Sequence, residues 1–240
     1  MFAGPNGSGK STLKLYLAPF LHGVYINPDE IEAQIQREGF LNLTDFKVVP
    51  TQVEVQAFFR GSKFLEAAGY AAEAQLIDLE ENRLAFNGIT VNSYLASVAA
   101  DFIRTKLLDQ KISFSFETVM SHPGKLDILR TARKCGYRTY LYYVATDDPN
   151  INISRVKNRV ARGGHSVPED KIIERYHRSI AQLADAISLT DRAYIFDNSK
   201  ETANQQAVFL AEVTGGSSMR IEPEKLPLWF LRAALDIEVE

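Results

Sequence analysis

A chain of 240 residues with 45% apolar and 24% charged side chains has an ordinary globular composition, long enough for one large α/β domain or a domain with a sizeable insert. Its formal net charge of −3 argues against a general nucleic-acid-binding surface, and the single cysteine, Cys135, excludes an intrachain disulfide framework and a cysteine-built zinc site. No run is long and apolar enough to span a bilayer and no signal peptide precedes the first motif, so the expectation is a cytoplasmic protein without membrane or nucleic-acid partners.

Met1-Phe2-Ala3 reads as a short strand, and Gly4-Pro5-Asn6-Gly7-Ser8-Gly9-Lys10-Ser11-Thr12 follows it. This fits G-x-x-x-x-G-K-[ST], a phosphate-binding loop between a strand and a helix. Glycines let the backbone turn with positive φ and bring its N–H groups against phosphate oxygens. Lys10 would supply a mobile charge to the β- and γ-phosphates, and the Ser11 hydroxyl would hold Mg²⁺. A helix with Leu13, Leu15 and Leu17 is expected next, its N-terminus adding a positive dipole end.

Pro19 to Gly23 form a turn, Gly23 to Asn27 a short buried strand, and Pro28 opens a helix to about Glu38 with Asp29 and Glu30 in its first turn. Leu41 to Pro50 reads as a loop and Gln52 to Gly69 as helical, with Val53, Phe58, Phe59, Phe64 and Leu65 available for packing. Leu76–Leu79 and Arg83–Phe86 suggest a hairpin around Glu80-Glu81-Asn82, and Asn92 to Gln110 a helix. Residues 41–110 therefore look like a mainly helical insert. Ser113 to Thr118 is a strand, Pro123 to Cys135 a helix, and Tyr137 to Ala145 a central strand. A helix through Arg162 ends at Gly163-Gly164, another runs from Pro168 to about Leu189, and Tyr194 to Asp197 closes the series as a strand. Strand–helix alternation implies a parallel sheet with helices on both faces. In the tail, 201–240, a hairpin (Ala207–Val213 and Met219–Ile221) and a short helix (Leu226–Leu235) are expected.

A phosphate loop needs partners before it names a reaction. Asp29, after the second strand, could orient an acceptor hydroxyl and take its proton, or could simply be a first-turn acid favoured by the helix dipole. Arg155, Arg159 and Arg162 share a helical face before Gly163-Gly164, as a clamp on a transferring phosphoryl group under a closing lid, or as a solvated charged face. Glu117 and Thr118, at a strand end beside the loop, could bind substrate hydroxyls or an Mg²⁺ water, or cap a helix before Pro123. Asp197 could equally cap a turn with Asn198-Ser199. His22, His122, His165 and His177 make no metal pattern and read as structural or surface residues, with His165 a further lid contact.

Together the loop Gly4–Thr12, Asn27-Pro28-Asp29, Phe116-Glu117-Thr118, Arg159, Arg162 to Pro168 and Tyr194 to Ser199 resemble the zeta toxin family of P-loop kinases. The likeness covers most of residues 1–40 and 111–200. It implies an α/β P-loop NTPase fold, a three-layer sandwich with a mostly parallel central sheet, as a single kinase domain over 1–240 with the insert and tail attached. It also implies transfer of the γ-phosphoryl group of ATP or GTP, with Mg²⁺, to a hydroxyl of a small molecule. In the toxins that acceptor is UDP-N-acetylglucosamine. By the same resemblance Lys10 grips the phosphates, Asp29 is the general base, Arg159 and Arg162 bracket the transferring group, and Glu117 contacts the sugar nucleotide. Thr118 is carried over to the substrate site although the family's threonine stands one position later, where this chain has Val119. An antitoxin protein is a further candidate partner. Two other readings stay open, a nucleotide-hydrolysing switch and a non-catalytic toxin-like interaction module.

Overall fold

The computed structural model describes all residues except Tyr16, Pro19, Phe20, His165, 201–206 and 235–240. The expected Pro19 turn, the His165 contact and the parts of the tail in 201–206 and 235–240 therefore lie outside the described residues. In chain order, β1 (Phe2–Ala3) leads through the loop into α1 (Lys10–Lys14). That helix is shorter than expected: Leu15 and Leu17 donate three residues back, to Thr12 and Lys14 carbonyls, which tightens the chain after one turn. Only Leu13 of its leucines is buried, and Leu15 is exposed.

Next come β2 (Val24–Ile26) and α2 (Pro28–Glu38). The Asn27 side chain accepts from the Asp29 N–H, Pro28 takes the first helical position, and Gly39 stops the helix at φ 78°. The segment expected to be a loop instead forms β3 (Phe40–Asn42) and a 3₁₀ turn at Leu43–Phe46, because β3 has a partner far along the chain. Then follow α3 (Gln52–Arg60), opened by a Thr51–Glu54 capping box, α4 (Lys63–Ala67) and α5 (Ala71–Leu76). The helical character expected over 52–69 is thus delivered by two helices, the second capped by the Ser62 hydroxyl. The hairpin is β4 (Asp78–Glu80) and β5 (Arg83–Ala85), with Glu81 and Asn82 at positive φ in its turn. Asn92 caps the long α6 (Ser93–Asp109).

The remainder is β6 (Phe114–Thr118), a 3₁₀ turn at Pro123–Leu126, α7 (Asp127–Lys134), β7 (Tyr140–Ala145), α8 (Pro149–Ala161), α9 (Glu169–Ala181), α10 (Leu183–Ser188) and β8 (Arg192–Asp197). The tail supplies β9 (Val208–Thr214), β10 (Ser218–Ile221) and α11 (Leu228–Ala233).

The chain divides into two compact units, Met1–Ala18 with Glu117–Glu240, and Pro19–Phe116. In the first, β1 lies between Glu117-Thr118 of β6 and β7, and β7 is followed by β8, all parallel. The tail hairpin continues this sheet antiparallel as β9 and β10. Leu141, Tyr143, Ile195, Leu210 and Val213 are buried in this sheet. Phe2, Tyr142 and Tyr194 stack in a row along neighbouring strands, with centroids 5.3 and 5.0 Å apart. In the second unit β2 runs parallel to Phe114–Phe116, and β3, β5 and β4 make a separate antiparallel sheet. Its core is built on α6, where Phe102 meets Phe58 and Phe59 at 5.2 and 5.9 Å. Val53 and Phe64, expected to pack, are exposed, and Val55 is buried instead.

Candidate active site

The loop between β1 and α1 is a cradle that only glycine can line. Gly4, Gly7 and Gly9 have φ of 143°, 73° and 102°. A Cβ on them would stand 2.0 Å from the Val144 carbonyl oxygen, 2.6 Å from the Asn152 carbonyl oxygen and 2.4 Å from the Asn198 amide nitrogen. Neighbouring atoms therefore press on the loop from behind, which leaves its other side to a ligand. The Lys10 ammonium donates to the Gly4 and Pro5 carbonyls, both at 2.9 Å. Inside the loop the Ser8 hydroxyl is completely buried and has no hydrogen-bond partner among the described residues. A ring of glycines, a lysine and a hydroxyl fits a polyphosphate.

Parallel register sets Glu117 opposite Phe2, so its buried carboxylate arrives under the loop. The Ser11 hydroxyl donates to Glu117 Oε2 at 3.1 Å. A hydroxyl and a carboxylate are hard oxygen donors of the kind Mg²⁺ takes when phosphate and water complete its shell. Among the described residues no group of three or more His, Cys, Asp or Glu could hold a metal by protein ligands alone. Thr118 accepts from the Met120 N–H at 3.1 Å, supporting a turn in which Met120 has φ 53°. The helix cap before Pro123 is His122, whose Nδ1 accepts from Gly124.

Arg159 lies in the last turn of α8 and Arg162 is its C-cap. Gly163 turns with φ 87°, and Gly164 donates to the Arg159 carbonyl while a Cβ there would stand 2.5 Å from Arg159 Cγ. The Gly-Gly pair thus lets the chain fold closely over the arginine stem. Val167 packs on Ile153, Val156 and Ile172, and Lys157 pairs with Glu169 at 2.8 Å, which fixes the far end of this connection to α8 and α9. Asp29 belongs to the second unit, at the second position of α2. The first unit therefore brings together the loop, Ser11 and Glu117, while Asp29 is described in its own unit.

Two residues outside the expected set of site residues touch the loop. Asn152 is fully buried, donating to the Asn6 carbonyl at 2.6 Å and accepting from the Thr146 hydroxyl. Asn198 donates to the Ser8 carbonyl at 2.8 Å. An amide sharing the buried face of α8 with Ile153 and Val156 was the available signal for Asn152. Asp197 does cap its turn, accepting from the Ser199 hydroxyl at 2.6 Å and from the Trp229 indole at 2.9 Å. Nearby, burial and then the charges of Asp147, Asp148 and Asp197 push the Tyr176 phenol up to about 12, and its hydroxyl donates to the Thr146 carbonyl.

The zeta toxin family model matches residues 80–207, more than half of the chain. The chain belongs to the zeta toxin family. Glu117, Thr118, Arg159 and Arg162 lie within the matched residues, whereas the loop and Asp29 precede them. An uncharacterized protein of Haemophilus influenzae is 33% identical over 69 residues, 29% of this chain and 49% of that protein. Among solved structures, AvrRxo1-ORF1:-ORF2 with ATP aligns with a TM-score of 0.58 at 13% identity, over 92% of this chain and 60% of that one. The same pair with sulphate ions gives 0.54 at 15% identity, with the same coverage. The chain spans about half the length of its curated relative and three fifths of these solved chains. At such identity the likeness is one of fold, α/β with a mostly parallel central sheet.

Proposed function

We propose that this zeta toxin family member is a phosphotransferase that moves the γ-phosphoryl group of ATP or GTP to a hydroxyl of a small molecule. One observation carries the reading: the glycine-lined loop with Lys10 at its mouth and the Ser11 hydroxyl on the Glu117 carboxylate. Lys10 exchanges its carbonyl partners for β- and γ-phosphate oxygens. Ser11 would hold Mg²⁺, and Glu117 would orient the ion's water or the acceptor. When bound, such an ion would supply Lewis-acid stabilisation of the negative charge on the transferring phosphoryl oxygens. Arg159 and Arg162 clamp the phosphoryl oxygens, Asp29 accepts the proton of the attacking hydroxyl, and Thr118 helps to shape the acceptor side.

The family resemblance favours a sugar nucleotide such as UDP-N-acetylglucosamine as acceptor, and an antitoxin protein as partner. The structure of AvrRxo1-ORF1:-ORF2 with ATP, similar in fold, supports ATP as donor. Lys10→Ala should abolish transfer, and Asp29→Asn should keep nucleotide affinity while losing most turnover. Full transfer by Asp29→Asn would remove Asp29 as the base.

A further inference from the structure

In a planar trans peptide the C=O of one residue and the N–H of the next point in opposite directions. Pinning a loop carbonyl from behind therefore aims the following N–H forward. Asn152 pins the Asn6 carbonyl and Asn198 pins that of Ser8, so the N–H groups of Gly7 and Gly9 face away from these anchors. The same two asparagines explain the glycines, since their own atoms occupy the space a Cβ at Gly7 or Gly9 would need.

The turn that carries Asn198 is itself held by hydrogen bonds. Its N–H donates to the Ala145 carbonyl at 2.8 Å. Ser199 donates its hydroxyl to Asp197 and accepts the Asp147 N–H at 2.8 Å. The buried Trp229, on α11 of the tail, donates its indole N–H to that same Asp197 oxygen and lies 6.0 Å from the Tyr143 ring.

We infer that Asn152 and Asn198 are positioning residues of the phosphate loop, and that Trp229 of the tail helix sets nucleotide affinity through Asp197 and the Asn198 turn. This rests on the nucleotide-binding reading above. Asn198→Asp keeps shape but replaces the donor with an oxygen facing the Ser8 carbonyl. Trp229→Phe keeps an aromatic ring but removes the indole donor. Neither residue touches the reacting atoms, so each change should raise KM for ATP and leave kcat within about twofold.

The test is calorimetric titration of ATP with Mg²⁺ into the intact wild-type chain and each variant, with thermal midpoints and the KM and kcat of transfer measured alongside. The expected result is affinity weakened about 10- to 100-fold in Asn198→Asp and about 3- to 10-fold in Trp229→Phe, at folded-state midpoints within a few degrees of wild type. Wild-type ATP affinity in a folded Asn198→Asp would overturn the anchor, and wild-type affinity in a folded Trp229→Phe would overturn the tail's part. Absence of ATP binding by the wild-type chain would instead sink the nucleotide reading and this inference with it. Should Asn198→Asp not fold, Asn198→Ala, which removes the donor without adding charge, decides by the same affinity.

Discussion

The Ser11 hydroxyl donates to the Glu117 carboxylate across a 3.1 Å gap, joining the end of the phosphate loop to a strand 106 residues later. Parallel pairing of Phe2 with Glu117 makes that meeting, so a two-residue strand sets the geometry of the proposed metal site. Glu117→Gln keeps the hydrogen bond but removes the charge. It should raise the Mg²⁺ concentration needed for half-maximal transfer by about 10-fold, as changes around metal ligands commonly do. A titration of activity against Mg²⁺ checks this, and an unchanged requirement would place Glu117 on the acceptor side alone.

The glycines around the site should separate by what stands behind them. Gly163→Ala meets nothing within 4 Å and pays only for its positive φ, about 1 kcal/mol. Gly7→Ala adds a collision with the Asn152 carbonyl and should cost about 3 kcal/mol or more. Denaturant unfolding of both variants gives the comparison. Equal costs would mean that the loop is not backed as described.

Arg159→Ala and Arg162→Ala should each lower kcat by about 10²- to 10³-fold, the scale of losing one donor to a developing charge. Lysine at either position restores charge but not the planar fork, so it should recover little. Steady-state kinetics with ATP and the acceptor decide. Near-wild-type turnover in Arg162→Ala would assign that exposed side chain to the solvated face.

In the second unit the Glu54 carboxyl is held down to about 2, first by the Lys106 side chain and then by Thr51 backbone and hydroxyl donors. A depressed carboxylate contributes stability above its ordinary value of 4.5, and that contribution is lost as pH falls through about 2. Carboxyl chemical shifts followed by NMR should titrate near 2 in the wild type and closer to 4.5 in Lys106→Met. A wild-type midpoint near 4.5 would show that the pair does not form in solution.

The parts of the fold legible in the sequence are those whose signals are local. Asn27, Pro28 and Gly39 cap, open and stop α2 within its own residues, and the expected Pro28–Glu38 is the helix found. Leu41 to Pro50 misleads because β3 exists through β5, pairing Leu41 with Leu84. Val53 and Phe64 mislead because apolar character does not say which helix face meets the core. At the site, Gly4 to Ser11 announce themselves by spacing. Asn152 and Asn198 do not, since their role lies in reaching carbonyls 146 and 190 residues away.

The fate of a labelled γ-phosphate separates phosphoryl transfer from hydrolysis. The chain is incubated with γ-labelled ATP, Mg²⁺ and a panel of sugar nucleotides and nucleosides, with Lys10→Ala as control. Phosphoryl transfer predicts label on one organic acceptor, absent with Lys10→Ala. Label released only as free phosphate, at a rate no acceptor changes, would contradict it.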